Sequence, residues 1–203
     1  MGLRHYLRHS TNSTLITLDL GYNSIRDNGA QVLSEALKTN STLTALDLEY
    51  SLIKDNGARV LSVALTYNST LNTLCFRSNS VADNGTHALS ESLKTNSTLT
   101  TLDLGNNSIG DNRAQVLSEA LKNNLTLTSL DLRGDLVTPS GAQALDEALK
   151  SNSILTTLIL ERNSIGDNGA RVLSEATPVA VSEEATTAGA PACSLQKSEI
   201  GYP

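Results

Sequence analysis

LITLDLGYNSIRDNGAQVLSEALK, residues 15–38, changes period halfway along. Its opening, Leu15-Ile16-Thr17-Leu18-Asp19-Leu20, sets apolar side chains at 18 and 20 around a polar residue, with β-branched Thr17 ahead of them. That alternation is the mark of a short strand. Further on, Ala30, Leu33, Ala36 and Leu37 fall on one stripe of a helix, with Gln31, Ser34 and Glu35 interleaved. A strand, a tight turn and an amphipathic helix therefore follow one another within two dozen residues.

The same unit recurs every 28 residues without insertion or deletion. Leucines at 15, 43, 71, 99, 127 and 155 are each followed by the pairs Leu18/Leu20, Leu46/Leu48, Leu74/Phe76, Leu102/Leu104, Leu130/Leu132 and Leu158/Leu160. A unit this short cannot bury its own apolar face, so stacking against its neighbours must complete the core. Constant length then places all strands side by side and parallel, with every helix on the opposite face. Helices are wider than strands, so the stack should curve, strands concave and helices convex.

Local signals agree with this plan. Asp27, Asp55, Asp83, Asp111 and Asp167 precede the helices, where a carboxylate is expected to accept the free N–H groups of its own helix. Thr138-Pro139 replaces this signal in the fifth unit, a cap followed by proline at the first helical position. Lys38, Lys94, Lys122 and Lys150 sit three residues after Glu35, Glu91, Glu119 and Glu147, a solvated outer face. Asn23, Asn79, Asn107 and Asn163 occupy the turn after each strand, where an inward amide can satisfy bent backbone. Ser51 and Asp135 replace that amide in the second and fifth units, and those turns are expected to be looser.

Assembled, Leu99-Thr-Thr-Leu102-Asp-Leu104-Gly-Asn-Asn107-Ser-Ile109-Gly-Asp111 followed by Ala114-Gln-Val-Leu117-Ser-Glu-Ala120-Leu121 resembles a leucine-rich repeat of the ribonuclease-inhibitor-like class. Repeats in NOD-like receptor tails and Ran GTPase-activating proteins are similar. The resemblance covers about residues 12–177 and implies an α/β fold, a right-handed leucine-rich-repeat solenoid or horseshoe. It implies no particular chemistry, because the class shares a shape and not a reaction. The chain contains no Gly-x-x-x-x-Gly-Lys-Ser/Thr nucleotide-binding loop.

The expected organisation is a degenerate half-repeat over 1–14, six repeats over 15–177 and a disordered tail over 178–203. Leu3, Tyr6 and Leu7 form a partial apolar stripe that can shield the first strand. The tail holds three of the four prolines and few large aliphatics.

Composition narrows function. The 203 residues carry a formal net charge of −6, and no repeat column is basic, which argues against nucleic acid. No apolar run approaches the roughly 20 residues of a membrane helix, and residues 1–10 lack a secretory apolar core. Cys75 and Cys193 make neither a disulfide framework nor a metal cluster, and a cytoplasmic setting is expected. Five of the seven Asn-x-Ser/Thr sequons, at Asn12, Asn40, Asn68, Asn96 and Asn124, share one column and read as a copied turn; Asn84 and Asn106 stand outside it. His5, His9 and His87 are scattered, so neither metal nor cofactor nor small-molecule substrate is expected.

Function should therefore lie on the concave face, as a non-catalytic scaffold for a protein partner. Between the strand leucines stand Asp19, Asp47, Cys75, Asp103, Asp131 and Ile159. At about 4.8 Å between strands, adjacent carboxylates repel by roughly 0.9 kcal/mol in water, and a partner's Lys or Arg would relieve this. The next columns run Gly21, Glu49, Arg77, Gly105, Arg133, Glu161, then Tyr22, Tyr50, Ser78, Asn106, Gly134, Arg162. Tyr22 and Tyr50 should stack near the N-terminal end, with the arginines toward the other, and exposed Tyr and Arg are the usual interface anchors. The candidate partner-binding residues are thus Asp19, Asp47, Glu49, Arg77, Asp103, Asp131, Arg133, Arg162 and the two tyrosines. Cys75 is expected to be accessible beside Arg77, where its pKa could fall. The alternative that the resemblance implies, a regulator of a small GTPase, has no residue here to carry it.

Overall fold

The computed structural model describes residues 13–175 and 180–181. Within them the expected alternation is present: β1 (Thr17–Asp19), α1 (Arg26–Leu37), β2 (Ala45–Asp47), α2 (Asp55–Leu65), β3 (Thr73–Cys75), α3 (Asp83–Leu93), β4 (Thr101–Asp103), α4 (Asp111–Leu121), β5 (Ser129–Asp131), α5 (Pro139–Leu149), β6 (Thr157–Ile159), α6 (Gly166–Glu175) and β7 (Ala180–Val181). The strands form one parallel sheet in sequence order, in register so that Leu18, Leu46, Leu74, Leu102, Leu130 and Leu158 are successive partners. Strands of three residues pair only because each neighbour repeats the same spacing.

The core is built column by column. Leu46, Leu74, Leu102 and Leu130 from the strands meet Leu61, Leu89, Leu117 and Leu145 from the helices, all fully buried. Phe76, in a leucine column, is also fully buried. At the N-terminal end the closure is incomplete: Leu15 and Ile16 are exposed and Leu18 is half-buried. The half-repeat expected to cover them lies, in residues 1–12, outside the described residues, as do His5 and His9.

Beyond the sixth repeat the expected absence of structure does not hold throughout. Ala180 and Val181 pair in parallel with Thr157 and Leu158, because an unpaired strand edge offers free N–H and C=O groups to any extended segment that returns. The rest of the expected tail lies outside the described residues.

Helix capping departs from the sequence reading in an informative way. Asp27 Oδ1 does not cap α1. It accepts the N–H groups of Lys54 (2.8 Å) and Gly57 (3.0 Å), at the start of α2 in the next repeat. Asp55 does the same for Ala82 and Gly85 of α3, and Asp111 for Thr138 and Gly141 of α5. Glycine is required where the carboxylate approaches: a Cβ at Gly57, Gly85 or Gly141 would stand 2.7, 2.8 or 2.5 Å from that oxygen. In the fourth repeat Arg113 replaces the glycine, and Asp83 Oδ1 takes the Arg113 Nε at 2.6 Å instead. Thr138 caps its own helix as expected, accepting from Ser140 N with Pro139 in the first turn.

The opposite helix ends are also satisfied by the following repeat. Asn68, Asn96, Asn124 and Asn152 each donate Nδ2 to a last-turn carbonyl of the helix before (Leu37, Leu65, Leu93, Leu121) at 2.7–2.8 Å. Their Oδ1 atoms accept N–H groups of their own turn, such as Leu71 and Leu99. At Asn68, Asn96 and Asn124 the sequon column is therefore a structural ladder whose amide nitrogens are engaged.

Candidate functional site

The strand face carries the functional columns, and the backbone ladder runs past each three-residue strand into them. Leu20 N donates to Asp47 O and Tyr22 N to Glu49 O; Leu48 N and Tyr50 N repeat this on Cys75 O and Arg77 O. The residues just beyond the strands are thereby pinned, and they adopt left-handed backbone: φ is 59° at Tyr22, 49° at Tyr50, 53° at Ser78, 57° at Asn106, 69° at Gly134 and 57° at Arg162. Gly134 and Asn106 suit that region; tyrosine and arginine hold it at a cost of roughly 1–2 kcal/mol each.

Tyr22 and Tyr50 stack as expected, ring centroids 4.6 Å apart and planes inclined by 22°. They remain 62% and 48% exposed, so the pair presents aromatic surface to solvent rather than to the core.

The carboxylate column is not the row of solvated charges read from the sequence. Only Asp19 is exposed; Asp47, Asp103 and Asp131 are buried. Each of the four accepts the N–H two residues on, from Gly21, Glu49, Gly105 and Arg133 at 2.8–2.9 Å. Aspartate here closes the turn after its strand.

Long side chains of the next column cover these carboxylates. Arg77 reaches toward Glu49 (3.8 Å), Asp103 (3.7 Å) and Asp131 (3.7 Å); Arg133 reaches Asp131 (3.4 Å) and Glu161 (3.2 Å). Burial would lower the Arg77 pKa, but Asp103, Asp131 and Glu49 outweigh it and the net shift is upward. Burial, with the Asp131 charge, pushes Asp103 up to about 6 against the Gly105 N–H bond and Arg77. Burial also raises Asp131. The Arg77 contacts are too long to be strong hydrogen bonds, which is why they do not restore an ordinary carboxylate.

Consequently the ten expected binding residues divide. Tyr22, Tyr50, Asp19 and Arg162 face solvent, whereas Arg77, Glu49, Asp103, Asp131 and Arg133 form one covered ionic network and Asp47 lies buried. The expectation that Cys75 is accessible is also wrong. Its thiol is buried, Sγ 3.8 Å from Asp103 Oδ2, because Cys75 stands in the aspartate column beneath Arg77. Two rim residues were missed. Leu52 and Leu136 are 50% and 59% exposed where Ser24, Ser80, Ser108 and Ser164 stand in the sibling repeats, and that contrast was readable in the sequence.

Among the described residues no His, Cys, Asp and Glu cluster could hold a metal ion, and no helix is long and apolar enough to cross a membrane. Two shallow hollows lie at helix starts: one beside Arg26, Asp27, Leu52 and Lys54, the other beside Asp83, His87 and Arg113.

A family model described as leucine rich repeat matches residues 11–34, 39–62, 95–117 and 151–174. No curated protein matches. Among solved structures, the tropomodulin C-terminal domain of Caenorhabditis elegans is similar at 16% identity over 86% of this chain and 88% of that one, with a TM-score of 0.52. Leiomodin-1, in a structure titled actin-binding site 2, is similar at 17% identity over 85% of each chain, with a TM-score of 0.49. At this identity the tropomodulin domain speaks for the fold alone. With one leucine-patterned unit stacked six times in register and the repeat model matching four stretches of it, the chain is a leucine-rich repeat protein.

Proposed function

We propose that this protein is a non-catalytic binding module that engages a protein partner through the Tyr22–Tyr50 end of its concave face. The observation that carries the reading is the stacked pair itself. Two tyrosines keep a left-handed backbone that Asn106 and Gly134 adopt more easily in sibling repeats, and they expose their rings instead of burying them. Strain retained at solvent-facing aromatic positions points to use rather than to stability. Asp19 beside the pair and Leu52 on the rim supply an acidic and an apolar flank.

Half-buried Arg77 and Arg133, spanning carboxylates of neighbouring repeats, stiffen this face, and Arg162, its side chain 78% exposed and 3.5 Å from Glu161, offers a cation at the far end. The small-GTPase alternative gains no support from the repeat family or its neighbours. A cytoplasmic setting belongs to the same reading, because a sugar on Asn68, Asn96 or Asn124 would displace the amide bonds that close the helix ends.

Affinity capture with wild type and with Tyr22→Asn/Tyr50→Asn tests it. Asparagine suits the left-handed backbone, so the double variant should fold with an unchanged far-ultraviolet dichroism spectrum yet lose the partners that wild type retains. Undiminished capture by a folded double variant would refute the assignment.

A further inference from the structure

At the inward position of the post-strand turn the asparagines accept N–H groups of the repeat before through Oδ1 and donate Nδ2 to one of its carbonyls. Asn79 Nδ2 donates to Leu48 O (2.8 Å), Asn107 Nδ2 to Phe76 O (2.9 Å) and Asn163 Nδ2 to Leu132 O (2.8 Å). Ser51 Oγ preserves the bond to Leu20 O at 3.2 Å. Each asparagine Nδ2 also donates to the carbonyls two and three residues before it. In the fifth repeat this position is Asp135, 4% exposed. Its Oδ1 fills the asparagine's acceptor role, taking Asn107 N at 2.8 Å and Ile109 N at 3.0 Å. Its Oδ2 stands where the other repeats place an N–H group, and it is buried without a hydrogen-bond partner. By the offsets of the siblings, the groups it replaces a donor for are the carbonyls of Leu104, Leu132 and Arg133. A carboxylate can only accept, whereas a carboxylic acid carries one donor.

We propose that Asp135 is a neutral carboxylic acid in the folded chain, its Oδ2 proton donated to a backbone carbonyl in place of the amide, and that this proton latches the fifth turn to the fourth. Burial pushes the Asp135 pKa up to about 7, opposed by the Ile109 and Asn107 N–H bonds and reinforced by Asp131. Asp131, on the strand of the same repeat, is the charged group that bears on it; the flanking turns contribute the uncharged Asn107 and Asn163. An acid whose folded pKa lies above its unfolded value of about 3.9 contributes stability at low pH. That contribution declines as pH rises from there and is fully lost above the folded pKa. Near neutrality the latch therefore sits at its midpoint, directly beneath the rim that carries Arg133 and Leu136.

Carbon-13 NMR of the full chain, following the Asp135 carboxyl through a pH titration, reads the proton directly. The proposal expects a midpoint near 7 and is overturned by one in the ordinary carboxylate range near 4. Urea denaturation of wild type and Asp135→Asn gives an independent readout: the variant carries a permanent donor, so its midpoint should exceed that of wild type by an amount that widens from about pH 5 to about pH 8. Comparison of the two chains subtracts Asp103, which titrates in both. A gap that does not depend on pH, or a variant less stable than wild type at about pH 8, would also overturn it; should the variant fail to fold, the NMR midpoint decides.

Discussion

Asp55 and Asp83 look identical in the sequence, yet they do different things because of a residue thirty positions on. Asp55 meets Gly85 and caps α3; Asp83 meets Arg113 and forms an ion pair instead. Asp55→Ala should lower stability by about 1 kcal/mol, the usual worth of a helix cap. Asp83→Ala should cost less, because the Asp83 side chain is 79% exposed and a surface pair contributes little. Urea denaturation of the two variants checks the contrast. Arg77 belongs to the same scale. Arg77→Met leaves Asp103 buried without its cation while Asp131 keeps Arg133, a loss of about 3 kcal/mol near neutral pH. That loss should shrink on acidification, since Asp103 has a folded pKa raised to about 6 and protonates first. Equal destabilisation at pH 5 and pH 8 would contradict this assignment.

Among elements, α2 and α3 depend on their neighbours at both ends. The amide of Asn96 ties Leu65 O, the end of α2, to Leu99 N, the approach to β4. Asn96→Ala strands a buried carbonyl and two N–H groups, and about 2 kcal/mol of destabilisation is expected from thermal denaturation. This scale also shows what a sequence window can and cannot hold. Strand and helix were legible because both periodicities fit inside ten residues, and the Tyr22–Tyr50 stack was legible because in-register strands bring equal positions within ring contact. The direction of the aspartate caps was not, since a local window assigns a carboxylate to the nearest helix while the real acceptor geometry spans 27 and 30 residues. The binding columns were found but their burial was misjudged: charge was counted by column, and nothing in a column of letters reports that the Arg77 side chain lies across two neighbouring repeats.

At the level of the whole molecule, stability is a sum of units and of the interfaces between them. Leu74→Ala removes a fully buried strand leucine in the middle of the stack, so about 3 kcal/mol should be lost. The same interior position at the first strand, Leu18, is half-buried, and Leu18→Ala should cost visibly less in the same assay. The contrast measures how far the N-terminal end is open.

The ion pair of Arg113 carries one last consequence. The aspartate-to-glycine handover is broken between α3 and α4, where Arg113 stands for the glycine, and again between α5 and α6, where Pro139 stands for the aspartate, so the array has two seams and the first three repeats are its longest unbroken block. Pulled from its termini, the protein should part first at one of these seams, and amides at the start of α4 should exchange with deuterium sooner than those at the starts of α2, α3 and α5.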